Sequence, residues 1–140
     1  MLGICLGMQM MFPASEESPG HVGLGILAGA VVRLARTQSQ KVPNMGWDPV
    51  VVEKAGLLGK PGDTLYCYFA HSYVCVPAED IVEASFGQGP APFAASVHKA
   101  LVQGVQFHPE KSGPAGLGFL ARFVETCRTA QSGEVAGPWS

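Results

Sequence analysis

Apolar residues run in short blocks along this chain, separated by glycine, proline and small polar residues. The strongest block, residues 65–76, is rich in Tyr, Phe, Val and Cys and predicts a β-strand, because branched and aromatic side chains fit a pleated, half-buried surface. Shorter blocks at 30–34, 50–53, 81–86, 93–97 and 101–107 predict further strands, with turns at 55–62 and 87–92 and Gly104 inside the last strand. The period then changes. From Gly113 onward Leu117, Leu120, Phe123 and Val124 recur at helical spacing with Cys127 closing the stripe, which predicts a terminal helix. Near the start, residues 6–12 suit a short helix that buries Leu6, Met10 and the neighbouring methionines and stops at Pro13. Residues 15–20 read as a polar loop, and 42–49 as a Pro- and Gly-punctuated segment carrying Met45 and Trp47. Residues 130–140 lack periodicity and predict a frayed tail, leaving one domain over residues 1–129 with no internal repeat.

Composition narrows the function classes. At 140 residues, 47% hydrophobic and 14% charged, the chain can build a core and is not a disordered polymer. A net charge of -2 with no run of Lys or Arg offers no footprint for nucleic acid or an anionic membrane, so small-molecule or protein partners are expected. No apolar run reaches membrane-spanning length. The four cysteines, Cys5, Cys67, Cys75 and Cys127, form no C-x-x-C pair, which signals neither zinc nor a disulfide framework and suggests a cytoplasmic protein with free thiols. Cys67, Cys75 and Cys127 sit in apolar runs and read as core thiols.

Chemistry concentrates in two stretches. In Gly3-Ile4-Cys5-Leu6-Gly7-Met8-Gln9, small residues two places before and two after Cys5 allow a sharp strand-to-helix turn that lifts the thiol outward. At a helix N-terminus the thiol pKa is expected to fall from about 8.5 towards neutrality. Such an elbow needs an incoming strand with neighbours from earlier βα units, and none stands ahead of this one, so the expectation is either an N-terminally truncated form of a larger domain or a Cys5 that is not an elbow. The second stretch is Gln106-Phe107-His108-Pro109-Glu110-Lys111. His108 and Glu110 are two residues apart at a strand end, so both can lie on one face with the carboxylate orienting the imidazole. An isolated His-Glu pair reads as surface charge; with Cys5 upstream it becomes a candidate Cys-His-Glu triad. Glu17 by itself reads as solvated loop charge.

Together these stretches resemble the class I (triad-type) glutamine amidotransferases, over residues 2 to about 127. Within that class, Lys111-Ser112-Gly113, Lys41 to Trp47 and Phe69-Ala70-His71-Ser72-Tyr73 resemble the glutaminase-subunit family of imidazole glycerol phosphate synthases. The resemblance implies an α/β fold, a sheet sandwiched by helices, here N-terminally truncated and without the loop that supplies half of the oxyanion hole. It implies Cys5, His108 and Glu110 as catalytic residues acting on L-glutamine. It implies Leu6, Gly7, Gln9, Glu17, Ser72 and Tyr73 as substrate-binding positions, with the N–H of Leu6 in the oxyanion hole, Glu17 on the α-ammonium and the Ser72-Tyr73 turn on the α-carboxylate. Pro43, Met45, Trp47 and Lys111 would meet a (β/α)8 barrel synthase (cyclase) subunit in a heterodimer that serves histidine biosynthesis. No metal and no organic cofactor is implied for the glutaminase step. His71 reads as mainly structural. The rival readings are another triad amidotransferase, a non-catalytic partner-docking module, and a cysteine hydrolase of some other amide.

Overall fold

The computed structural model describes residues 1–37, 40–87 and 92–132. In chain order its elements are β1 (Leu2–Ile4), α1 (Leu6–Gln9), β2 (Ala14–Ser15), β3 (Gly29–Arg33), β4 (Asn44–Val52), β5 (Thr64–His71), β6 (Tyr73–Pro77), β7 (Val82–Phe86), β8 (Phe93–Lys99), β9 (Val102–Val105), a single 3-10 turn (Pro109–Lys111) and α2 (Gly113–Ser132). Six strands make a large sheet in the order β1-β9-β8-β7-β4-β5, and β2-β3-β6 make a small one. In the large sheet β1 runs parallel to β9, and the remaining neighbours are antiparallel.

The core is divided between the two faces of the large sheet, and a register shift between β7 and β8 interrupts strict alternation on β8. On β8, Ala95 joins a cluster with Phe69, Phe86, Phe107 and, from α2, Phe119, while Ala94 and Val97 join Met8, Met11 and Phe12 beneath β3 and β6. The aromatic side chains of the first cluster touch in sequence: Phe69 and Phe86 centroids are 4.4 Å apart, Phe69 and Phe107 6.0 Å, Phe107 and Phe119 6.1 Å. Burying each such ring stabilises the fold by about 1.5–3 kcal/mol relative to leaving it in water. Helix α2 therefore covers one face, and α1 with the small sheet covers the other. No described helix is long and apolar enough to cross a membrane.

The structure departs from the apolar pattern at several points. The block 65–76 is two strands in two different sheets, divided at Ser72, whose carbonyl accepts from the N–H of Leu34 at 2.8 Å. A corner of one residue leaves no trace in hydrophobic periodicity, so the block looked continuous. Residues 42–49 are not a separate segment, because 44–52 form the single strand β4. Pro49 is tolerated there because β7 pairs with β4 only at Val50, Val51 and Val52, so the earlier half is an edge that needs no second row of N–H donors.

Both helices are rotated from the expected stripes. In α1 and just beyond it Met8, Met11 and Phe12 are buried, whereas Leu6 and Met10 are exposed. Gly104 decides this, since a Cβ there would lie 2.8 Å from Cγ of Met8; its bare face admits Met8 against β9. In α2, Phe119 is fully buried with Leu120 and Phe123 packed beside it, while Leu117, Val124 and Cys127 point to solvent. Here Gly116 sets the rotation, because a Cβ on it would come within 2.0 Å of the Pro109 carbonyl oxygen. Helix α2 continues to Ser132, past the point where periodicity ends; the rest of the expected tail, and residues 88–91 of the expected 87–92 turn, lie outside the described residues.

Candidate active site

Cys5 stands between β1 and α1 with φ 51° and ψ -109°, a conformation that costs a residue with a side chain about 1–3 kcal/mol. Its surroundings enforce that bend. The Cys5 N–H donates to the Val105 carbonyl at 2.8 Å, and its own carbonyl accepts from Met8 and Gln9 at 3.1 and 3.2 Å. Gly3 lies so close to the turn that a Cβ would stand 2.6 Å from the Gly7 carbonyl oxygen, so only glycine fits. A Cβ on Gly7 would meet nothing within 4 Å, so the requirement at that end is not steric.

The thiol accepts a hydrogen bond from Nε2 of Gln106 at 3.7 Å and another from the N–H of Leu6. Burial pushes its pKa up, these two donors pull it down, and the charges of Glu110 and Glu17 push it up again; the net direction is upward. The expected fall towards neutrality is therefore corrected. Helix α1 has only four residues, and its dipole with one N–H does not offset the loss of hydration. Among the described residues no hydrogen bond joins Sγ to His108.

His108 is held at its backbone and at its ring. Its N–H donates to the Tyr68 carbonyl at 2.9 Å, and its carbonyl accepts from Oγ of the buried Ser112 at 2.6 Å. Ser112 Oγ in turn accepts from the Tyr68 N–H at 3.0 Å, so one hydroxyl ties β5 to the turn. Nδ1 of His108 lies 2.9 Å from Oε1 of Glu110. A carboxylate can only accept, which assigns the proton to Nδ1 and leaves Nε2 able to take one. Glu110 is half exposed, so the pair matters more for orientation than for stability.

Beside the elbow lies a cavity of about 180 Å³, lined by Leu6, Gln9, Met10, Glu17 and His21 among others. Of the residues expected to meet substrate, Leu6, Gln9 and Glu17 share this cavity, whereas Gly7, Ser72 and Tyr73 are not in its lining. Tyr73 is tied to it indirectly: its carbonyl accepts from Nε2 of Gln9 at 3.1 Å, and the same amide donates to Oε1 of Gln106 at 3.1 Å. Pro43, Met45, Trp47 and Lys111 are all exposed. Trp47 meets the edge of Tyr68 at 6.1 Å, and Nζ of Lys111 stands 5.7 Å above the same ring. Among the described residues no group of three metal-ligating side chains comes together.

Two residues at the site carry no assigned role in the sequence reading, Gln106 and Ser112. The signal for Gln106 was available, because positions 106, 108 and 110 alternate onto one face. Ser112 gave none, since its partners are 44 residues away in β5 and at the carbonyl of His108.

The family model described as glutamine amidotransferase class-I matches residues 1–127. Imidazole glycerol phosphate synthase subunit HisH of Methanothermobacter thermautotrophicus is 41% identical to this chain, over 91% of the chain and 63% of the relative. The subunit of the same name from Deinococcus radiodurans is 43% identical, over 88% of the chain and 58% of the relative. The chain thus spans about three fifths of the length of these curated relatives. A crystal structure of a glutamine amidotransferase superposes with a TM-score of 0.62 at 23% identity, covering 89% of this chain and 58% of that one, which is a likeness of fold. With the family pattern running through nearly all of the described residues and the fold agreeing, the chain belongs to the class-I glutamine amidotransferases.

Proposed function

We propose that this chain carries the glutaminase chemistry of an imidazole glycerol phosphate synthase, releasing ammonia from L-glutamine for a (β/α)8 barrel synthase subunit. The observation that carries the reading is geometric: the strained elbow holds Cys5 beside a cavity lined by Leu6, Gln9 and Glu17, and Nδ1 of His108 is held by the Glu110 carboxylate. In this reading Nε2 of His108 takes the proton of Cys5 as Sγ attacks the side-chain amide carbon of glutamine, and the N–H of Leu6 faces the developing oxyanion. The imidazolium then returns the proton to the departing nitrogen and ammonia leaves. Water, deprotonated by His108, opens the thioester to glutamate and restores the thiol. Glu110 keeps the proton on Nδ1 throughout. The exposed Met45, Trp47 and Lys111 suit an interface with an apolar centre and a charged rim.

That no hydrogen bond joins Cys5 to His108 among the described residues favours a second reading, a partner-docking chain with little turnover of its own. Ammonia release from glutamine, measured with and without the barrel subunit, separates the two. Cys5→Ala is expected to abolish release, and Lys111→Ala to weaken the partner's effect. Release that survives Cys5→Ala overturns the mechanism; partner binding without release in any mixture supports docking alone.

A further inference from the structure

A continuous line of hydrogen bonds runs from β4 to the thiol through side chains that the mechanism does not use. His71 is buried between Phe69 and Phe86, with centroids 5.5 and 5.4 Å away. Its Nδ1 lies 2.8 Å from the Tyr73 carbonyl, which can only accept, so Nδ1 carries the proton. Its Nε2 lies 3.2 Å from Nδ2 of the buried Asn44, and that amide also donates to Oδ2 of Asp48 at 2.9 Å. The Asp48 carboxylate thereby fixes which way the Asn44 amide points, and Asn44 fixes the tautomer of His71. Turning the amide over would set an oxygen against the carboxylate. Protonating Nε2 would set two donors face to face. Burial also lowers the His71 pKa, which favours the neutral ring this arrangement needs.

From the Tyr73 carbonyl the line continues to the thiol. That oxygen also accepts from Nε2 of Gln9, whose second hydrogen goes to Oε1 of Gln106, and Nε2 of Gln106 donates to Sγ of Cys5. Gln9 and Gln106 are both buried, so losing either partner leaves an uncompensated polar group. We infer that His71, Asn44 and Asp48 are positioning residues for the nucleophile, acting through the Tyr73 carbonyl and the Gln9 amide to aim the Gln106 donor at Cys5. The line starts on the strand that carries the exposed Met45 and Trp47, so the thiol is connected to that surface through the interior. The inference rests on Cys5 being the nucleophile, yet it concerns the thiol itself and is measurable without turnover.

The test uses the full chain with Cys127→Ser, which leaves Cys5 as the accessible thiol because Cys67 and Cys75 are buried. The alkylation rate of Cys5 by iodoacetamide is followed by mass spectrometry as pH rises from neutral. Gln106→Leu, His71→Leu and Asp48→Ala are each expected to slow alkylation at neutral pH about fivefold and to move its pH midpoint upward. His71→Leu should add nothing to Gln106→Leu, since both break one line. His71→Asn, whose amide offers an N–H near the place of Nδ1–H, is expected to recover the rate to within about twofold. Unchanged alkylation in His71→Leu, or effects of His71→Leu and Gln106→Leu that multiply, overturns the inference. If His71→Leu does not fold, Asp48→Ala at its half-buried position decides: wild-type alkylation there overturns it equally. Glutamine turnover with the barrel subunit is read in parallel. Absent turnover with the expected alkylation pattern refutes the proposed function alone, and intact turnover with unmoved alkylation refutes this inference alone.

Discussion

At Cys5 the backbone is bent to a positive φ of 51° and kept there by the bare face of Gly3 against Gly7, whereas at His108 it is extended, φ -97° and ψ 99°, and kept by side chains. Among the described residues the strand that leads into the elbow, β1, pairs with β9. The His108 turn is tied to β5 by Tyr68 and Ser112 and pressed from behind by Gly116 of α2. The candidate nucleophile is thus placed by local backbone strain, and the histidine proposed as its proton acceptor by contacts that only the folded chain brings together. Strain lifts a thiol out of the sheet with few residues. Anchoring suits a ring whose direction matters, since an imidazole that rotates loses its acceptor nitrogen from the site.

The contrast can be broken from the anchored end first. Gly116→Ala forces a methyl onto the Pro109 carbonyl and is expected to destabilise the chain by about 3 kcal/mol, read as a lowered denaturant midpoint; an unchanged midpoint means α2 does not press on the turn. Ser112→Ala removes one hydroxyl that bonds both Tyr68 and His108, with an expected loss of about 2 kcal/mol and a fall in glutamine turnover. At the strained end the sign reverses: Cys5→Gly should be more stable than Cys5→Ala by about 1 kcal/mol, because glycine relieves the positive φ. No such gain is expected for His108→Gly over His108→Ala, and equal behaviour at the two sites removes the distinction.

Two smaller effects follow from charge. The His71 pKa is lowered on folding, so below the ordinary imidazole value of 6.5 the unfolded chain binds more protons than the folded one. Stability is then intact above that pH and falls as pH drops from it towards the lower folded value, and His71→Asn should flatten that decline in thermal unfolding. At the elbow, Glu17→Gln removes a charge that raises the Cys5 pKa, so alkylation at neutral pH should quicken by about twofold, an effect that added salt diminishes. An unchanged rate would place Glu17 outside electrostatic reach of the thiol.

Both candidate stretches were visible in the linear chain for a physical reason. Gly3-x-Cys5-x-Gly7 encodes a local turn, and His108 meets Glu110 through the 3-10 turn at Pro109–Lys111 rather than on the strand face expected, so each needs only a few neighbouring residues to exist. The strand blocks were legible likewise, since alternation is a local property of half-buried β structure. Contacts over long separations were not. The break at Ser72, the joining of residues 44–52 across Pro49, and the rotation of both helices depend on Leu34, β7, Gly104 and Gly116, none of which announces its partner. The direction of the Cys5 pKa was misjudged for the same reason, because the helix expected over residues 6–12 promised a dipole, and the folded chain supplied a helix of four residues, desolvation and two carboxylates. The sequence by itself determined which residues carry reactive groups and how each bends its own backbone. Tertiary structure alone decided which way the thiol titrates and what aims at it, because burial and hydrogen-bond direction arise only when distant segments exclude water together.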